Sequence, residues 1–144
     1  MAQVIHPTNK SQVVFVNPSG LYDPAPNGYS HVASVAPGAR LVYVAGQGGE
    51  NQSGELPREF RPQVRKALEN LPTALTAAGA RTRDVVKLTM LVVDHTDEKL
   101  RVIASELERV MAGASAPTCT LIPVPRLALV GMPFEVDAVA VAGA

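Results

Sequence analysis

The 144-residue chain has no tryptophan, a single cysteine and only 4% aromatic residues. One cysteine cannot close an internal disulfide, which suits a reducing compartment and sets the expectation of a cytoplasmic protein. With so few rings, and no basic residues clustered about them, there is no stacking platform for single-stranded nucleic acid. Charge of one sign is also missing. Thirteen lysines and arginines balance thirteen aspartates and glutamates, so no global field draws the chain to nucleic acid or to an anionic membrane. The apolar runs are too short to span a bilayer, and "MAQVIHPTNK" lacks the charged-then-apolar layout of a signal peptide. What is present is 47% hydrophobic residues. They suffice for one domain over 1–144, residues 1–19 being an amino-terminal extension with the first strand, and for a core burying roughly two-thirds of the unfolded surface.

Patterning gives the order of elements. "QVVFV" (12–16) reads as a strand stopped by "NPSG". A turn-rich stretch leads into "YSHVASV" (29–35), and "APGAR" connects this to "LVYVAG" (41–46). Two β-rich runs across a Pro-Gly turn predict a hairpin. Beyond the polar loop the period changes. Val64, Ala67, Leu68, Leu71, Leu75 and Ala78 make the stripe of an amphipathic helix, which Pro72 should kink or split and Gly79 should end.

"DVVKLTMLVVD" (84–94) is apolar on both alternations, as for a central strand covered on both faces. A second helix follows, capped by Thr96 or Asp97, with Leu100, Ile103, Leu107 and Val110 inward and Gly113 as its stop. Glu106, Glu108 and Arg109 on it read as a solvated face. Strands at 118–124 and 134–141 complete the order β-β-β-α-β-α-β-β. This predicts an α+β fold, a mixed sheet with two helices packed on one face. The other face is apolar as well, and a homo-oligomer is the economical way to bury it.

"LVYVAGQ", "QVRKALENLPTALTAAGA", "DVVKLTMLVVD" and "FEVDAVAV" stand in the order and spacing of the Rid (YjgF, or L-PSP ribonuclease-like) family, which the chain resembles from about Gly20 to its carboxyl end. "NPSGLYDPAPNGYSH" resembles a bacterial branch with a longer amino-terminal segment. The resemblance implies a chorismate-mutase-like fold and a homotrimer with clefts between neighbouring subunits. In deaminase members each cleft binds a small carboxylate-bearing enamine or imine and hydrolyses it, releasing ammonia. It implies no cofactor.

The same resemblance assigns residues. Glu135 falls where the family's glutamate orients or deprotonates water. Tyr29 matches its tyrosine, and Gly46 the glycine whose backbone approaches the ligand. Ser30, His31 and Gln47 flank these as further ligand-binding candidates. The deaminases' arginine, which forks onto the substrate carboxylate, has no counterpart. Their "R-S-C-V-E-V-A-R-L" places Cys119 at that position when "V-P-R-L" sets the alignment, and Pro117 when the cysteines are matched. Their helix asparagine is matched by Ala104. Arg126 and Arg40 are the candidates to bring a charge from elsewhere.

Bland readings stand beside these. Cys119 is a packing residue unless His31 serves it as a base. Glu135 could be an edge carboxylate, and Tyr29 an interface ring. His6, His31 and His95 have no metal-ligand spacing, so no metal site is expected. "GQGGE" does not open a helix at phosphate-loop spacing. The leading function is a small-metabolite cleft that hydrolyses an enamine, an imine or a related compound and is not a canonical 2-aminoacrylate deaminase. The alternatives are a non-catalytic ligand-binding trimer and, more weakly, an endoribonuclease, disfavoured by the zero net charge.

Overall fold

The computed structural model describes residues 3–5 and 12–143. In chain order the elements are β1 (Gln3–Ile5), β2 (Val13–Asn17), β3 (Val32–Val35), β4 (Arg40–Gln47), α1 (Phe60–Ala77), β5 (Val85–Val93), α2 (Asp97–Met111), β6 (Thr118–Val124) and β7 (Phe134–Ala142). A four-stranded sheet runs β4-β7-β5-β6, and a three-stranded sheet runs β1-β2-β3. Only β5 and β6 are parallel within the larger sheet, and α2 makes the crossover between them. The helices sit on one face, as the pattern predicted.

That face holds the main core. Leu68 and Leu75 of α1, Ile103 of α2, Leu88 of β5 and Phe134 of β7 are no more than 1% exposed. Each such side chain contributes about 1.5–3 kcal/mol by leaving water. α1 runs through Pro72 as one helix and is not split, because Leu68, Leu71 and Leu75 anchor it on both sides of the lost hydrogen bond. Thr96 is the cap of α2, its Oγ1 accepting from Lys99 N at 3.2 Å. Leu100, predicted inward, is 44% exposed, while Ile103, Leu107 and Val110 pack as expected. β5 alternates, with Leu88, Met90 and Val92 buried toward the helices and Leu91 and Val93 only half-buried behind.

The predicted hairpin is absent. The Ala36–Ala39 turn forms, with Ala39 N donating to Ala36 O at 3.3 Å. It hands the chain from one sheet to the other, so β3 pairs with β2 and β4 with β7. Burial explains the exchange. Val13 and Phe15 of β2 pack on Val86 and Val141, on the sheet face away from the helices. The chain thus covers part of that face itself, a task assigned above to a second copy. Tyr43, Leu41 and Ile122 stay exposed there, Tyr43 at 74%. β1 was not foreseen, three residues being too short for any periodicity signal.

Glu106 corrects another reading. It is 2% exposed, not solvated. Arg65 of α1 forks onto it, Nε to Oε2 at 3.0 Å and Nη2 to Oε1 at 2.9 Å, and Arg61 Nη1 adds a bond to Oε1 at 2.9 Å. These bonds, Arg65's foremost, hold its carboxyl at about 2 against the opposing effect of burial. The pair clamps the two helices together. A carboxyl depressed from 4.5 to about 2 contributes stability above pH 4.5 and loses it as the pH falls toward 2. Glu106→Gln is expected to cost about 1–3 kcal/mol at pH 7, and the gap to wild type should shrink on acidification through that window. Urea unfolding of both proteins at pH 7 and pH 3 measures this.

Candidate functional site

Strand β7 alternates strictly. Phe134, Val136, Ala138 and Ala140 are at most 2% exposed against the helices, so Glu135 projects from the opposite, open face, level with Leu91. Beside it β4 is irregular, its register shifting between Val44 and Gln47. Gly46 lies at that irregularity, and the Glu135 side chain occupies the space a β-carbon on Gly46 would need. This is a close approach only glycine permits. Among the described residues no hydrogen bond or ion pair engages the Glu135 carboxylate. Gln47 bends back, its Nε2 donating to Ala45 O at 3.1 Å. Gly49 serves packing in the same way: a β-carbon there would stand 2.8 Å from the Gln63 backbone.

A second group forms beside β6. Ser30 makes an isolated parallel bridge to Thr118, its N donating to Pro117 O at 2.9 Å and its Oγ to Ala116 O at 2.7 Å. Ser30 is 2% exposed and therefore an anchor. It holds Tyr29 and His31 outward. Tyr22, Tyr29 and His31 pack edge-on in a triangle with ring centroids 5.0–6.5 Å apart. His31 Nε2 lies 2.8 Å from Tyr22 O, and Asn17 Oδ1 accepts from His31 N at 2.9 Å. Tyr22 and Asn17 were missed in the sequence. The signal was the recurrence of two tyrosines and a histidine within ten residues of a turn-rich stretch, whose folding back no periodicity reveals.

Cys119 pairs with Leu88 and packs against the helix-side core. Burial pushes its thiol up to about 11, with Lys87 pulling weakly the other way. His31 is turned to Tyr22, and no described contact joins it to the thiol. Glu135 and Cys119 therefore lie on opposite faces of the sheet, with β5 between their strands. Arg40 is committed elsewhere, Nη2 capping α1 through Ala78 O at 2.8 Å. Arg126 lines a cavity beyond the strand ends, and Ala104 is exposed on α2. His6 lies outside the described residues.

The sequence of residues 22–142 matches the family model Endoribonuclease L-PSP. The chain belongs to this family, which includes the Rid proteins. A Rid-family protein of unknown function from Yersinia pestis superposes with a TM-score of 0.85 at 32% identity, covering 91% of this chain and 99% of that one. TdcF of E. coli, solved with bound serine, gives a TM-score of 0.66 at 28% identity over 76% of this chain and 85% of its own. The 2-iminobutanoate/2-iminopropanoate deaminase of Mus musculus is 33% identical over 106 residues, 72% of this chain and 76% of that protein. Two helices on one face of a mixed sheet is the family's chorismate-mutase-like fold, as expected.

This Rid-family chain places its thiol where it should be inert. A pKa near 11 leaves roughly a hundredfold less thiolate at neutral pH than a free cysteine has. Iodoacetamide is expected to label the native protein on the order of a hundredfold more slowly than the urea-unfolded chain, read by mass spectrometry. Cys119→Val should leave the melting temperature within a few degrees.

Proposed function

We propose that this protein is a small-metabolite binding and hydrolysing member of the Rid family, a homotrimer. Its clefts join Glu135 and Gly46 of one subunit to Tyr29 and His31 of the next, with Ser30 anchoring those two rings from behind. The observation that carries this reading is the Glu135 carboxylate, held over Gly46 on an exposed sheet face with no partner among the described residues. A carboxylate left unpaired beside bare backbone is available for proton transfer. The second group lies across β5 within one chain, so a shared cleft requires the neighbouring subunit. The exposed Leu41, Tyr43 and Ile122 give that neighbour an apolar surface.

The chemistry suited to such a site is hydrolysis of a C=N bond. Glu135 takes a proton from water as its oxygen adds to the imine carbon and delivers that proton to the nitrogen, giving a carbinolamine. It then carries the hydroxyl proton to the same nitrogen, the C–N bond breaks as the oxygen forms the carbonyl, and ammonia leaves. Neither position 117 nor position 119 offers a guanidinium fork for a substrate carboxylate, so the substrate proposed is an uncharged enamine or imine. The deaminase name of the mouse relative and the serine bound to TdcF support small amino-acid-derived chemistry in this family. A non-catalytic role in the same cleft is favoured by the missing fork. With thirteen charges of each sign, ribonuclease activity is the weakest reading.

Sedimentation at micromolar concentration is expected to give three times 15.2 kDa; a monomer would overturn the shared cleft. Ammonia release from a serine or threonine dehydratase intermediate should be accelerated about a hundredfold less than by a deaminase carrying the arginine. Uncharged imines are expected to be turned over, and Glu135→Ala should abolish that turnover with the trimer intact. Wild-type hydrolysis unaffected by Glu135→Ala would remove the carboxylate from the mechanism.

A further inference from the structure

Beyond the carboxyl ends of β5 and β6 lies a cavity of about 500 Å³, within the usual range for small-molecule sites. It is bounded by the start of α1, the start of α2 and the β6–β7 connection. Three of its lining residues are cationic: Arg58, Lys99 and Arg126. None is acidic, and no carboxylate pairs with any of the three among the described residues. In a chain of zero net charge this concentrates one sign in a single concavity, where low-dielectric walls focus the field. Two of the cations, Lys99 and Arg126, are held in place. Lys99 Nζ donates to Val93 O at 2.7 Å and stands 5.0 Å over the Phe60 ring. Arg126 Nε donates to Leu127 O at 3.3 Å.

The cavity is also pre-formed. Gln63, 2% exposed, donates from Nε2 to Pro57 O at 2.6 Å and to Gly131 O at 3.0 Å. One buried amide thereby ties the wall carrying Arg58 to the wall formed by the β6–β7 connection. That second wall carries Arg126 near its start and an apolar lip, with Leu129 45% and Val130 92% exposed. Unpaired cations and an uncovered apolar lip around one cavity describe a complementary ligand.

We propose that this cavity binds a small organic anion with two or more negative charges on an apolar body, such as an aryl phosphate or an aromatic dicarboxylate. The anion accepts charge-assisted hydrogen bonds from Arg126, Arg58 and Lys99, and its body lies on Leu129 and Val130. The site uses none of Glu135, Gly46 or Tyr29 and stands independently of the hydrolytic reading.

Calorimetry with phenyl phosphate and with isophthalate tests the two anion chemistries on the assembled protein. Inorganic phosphate and benzyl alcohol serve as the charge-only and apolar-only probes. At least one organic dianion is expected to bind saturably, one per chain, at least tenfold more tightly than either control and more weakly as salt is raised. Lys99→Gln with Arg126→Gln should weaken it tenfold or more, and Val130→Asp about threefold or more. Backbone amide shifts should map to residues 127–132. Failure of both dianions to saturate would overturn the site, as would unchanged binding in the double variant or shifts confined to the Tyr29 region. Inorganic phosphate binding as tightly as phenyl phosphate would overturn the apolar half. Should the double variant fail to fold, the exposed-lip Val130→Asp decides, unchanged binding there counting against the proposal.

Discussion

Phe134, Val136, Ala138 and Ala140 of β7 are locked into the helix layer, and a strand can bury one such set only by turning the alternate set the other way. The open face therefore receives Glu135, Asp137 and Val139. The parallel pairing of β5 with β6 extends the same alternation one strand further, fixing Cys119 beside Leu88 on the helix side. The carboxylate and the thiol are separated by this period-two constraint, whatever the chemistry of either. A one-residue slip of β7 would turn Glu135 into the helix layer and expose Phe134 and Val136, which is why its placement is robust.

Two glutamates show how much position decides. Glu106 lies among arginines, its carboxyl forked by Arg65 and bonded by Arg61, and it ties α1 to α2. Both oxygens are occupied, so its role is structural. Glu135 lies against the backbone of Gly46 at an irregularity in β4, with no side-chain partner among the described residues. The first holds the helix layer together. The second is left free by it.

The same division applies to the positive charges. Arg61, Arg65 and Arg109 surround Glu106, Arg81 faces Asp84, and Arg40 caps α1. Among the described residues Arg58, Lys99 and Arg126 have no such acid, and they meet at one cavity. A balanced total thus conceals a local imbalance, because ion pairing removes cations from some surfaces and not from others. Tyr22, Tyr29 and His31 form another local concentration, of rings in this case, gathered by the anchoring of Ser30 on β6.

The sequence by itself determined the elements whose physics is local. Hydrophobic period located both helices and the long strands, Thr96 or Asp97 and the glycine stops bounded them, and the four family blocks marked Glu135 and Gly46 as site candidates. It also established that no guanidinium stands at 117 or 119. What only the tertiary structure decided is pairing between distant segments. β3 left its expected hairpin partner because Val13 and Phe15 of β2 are buried on Val86 and Val141. Glu106 looked solvated because its arginines are 41 and 45 residues away. The three-cation cavity was invisible for the same reason, its lining running from Arg58 to Pro133. Period and capping are set by neighbours within a few residues, whereas burial and ion pairing are set by whichever surface the folded chain brings opposite.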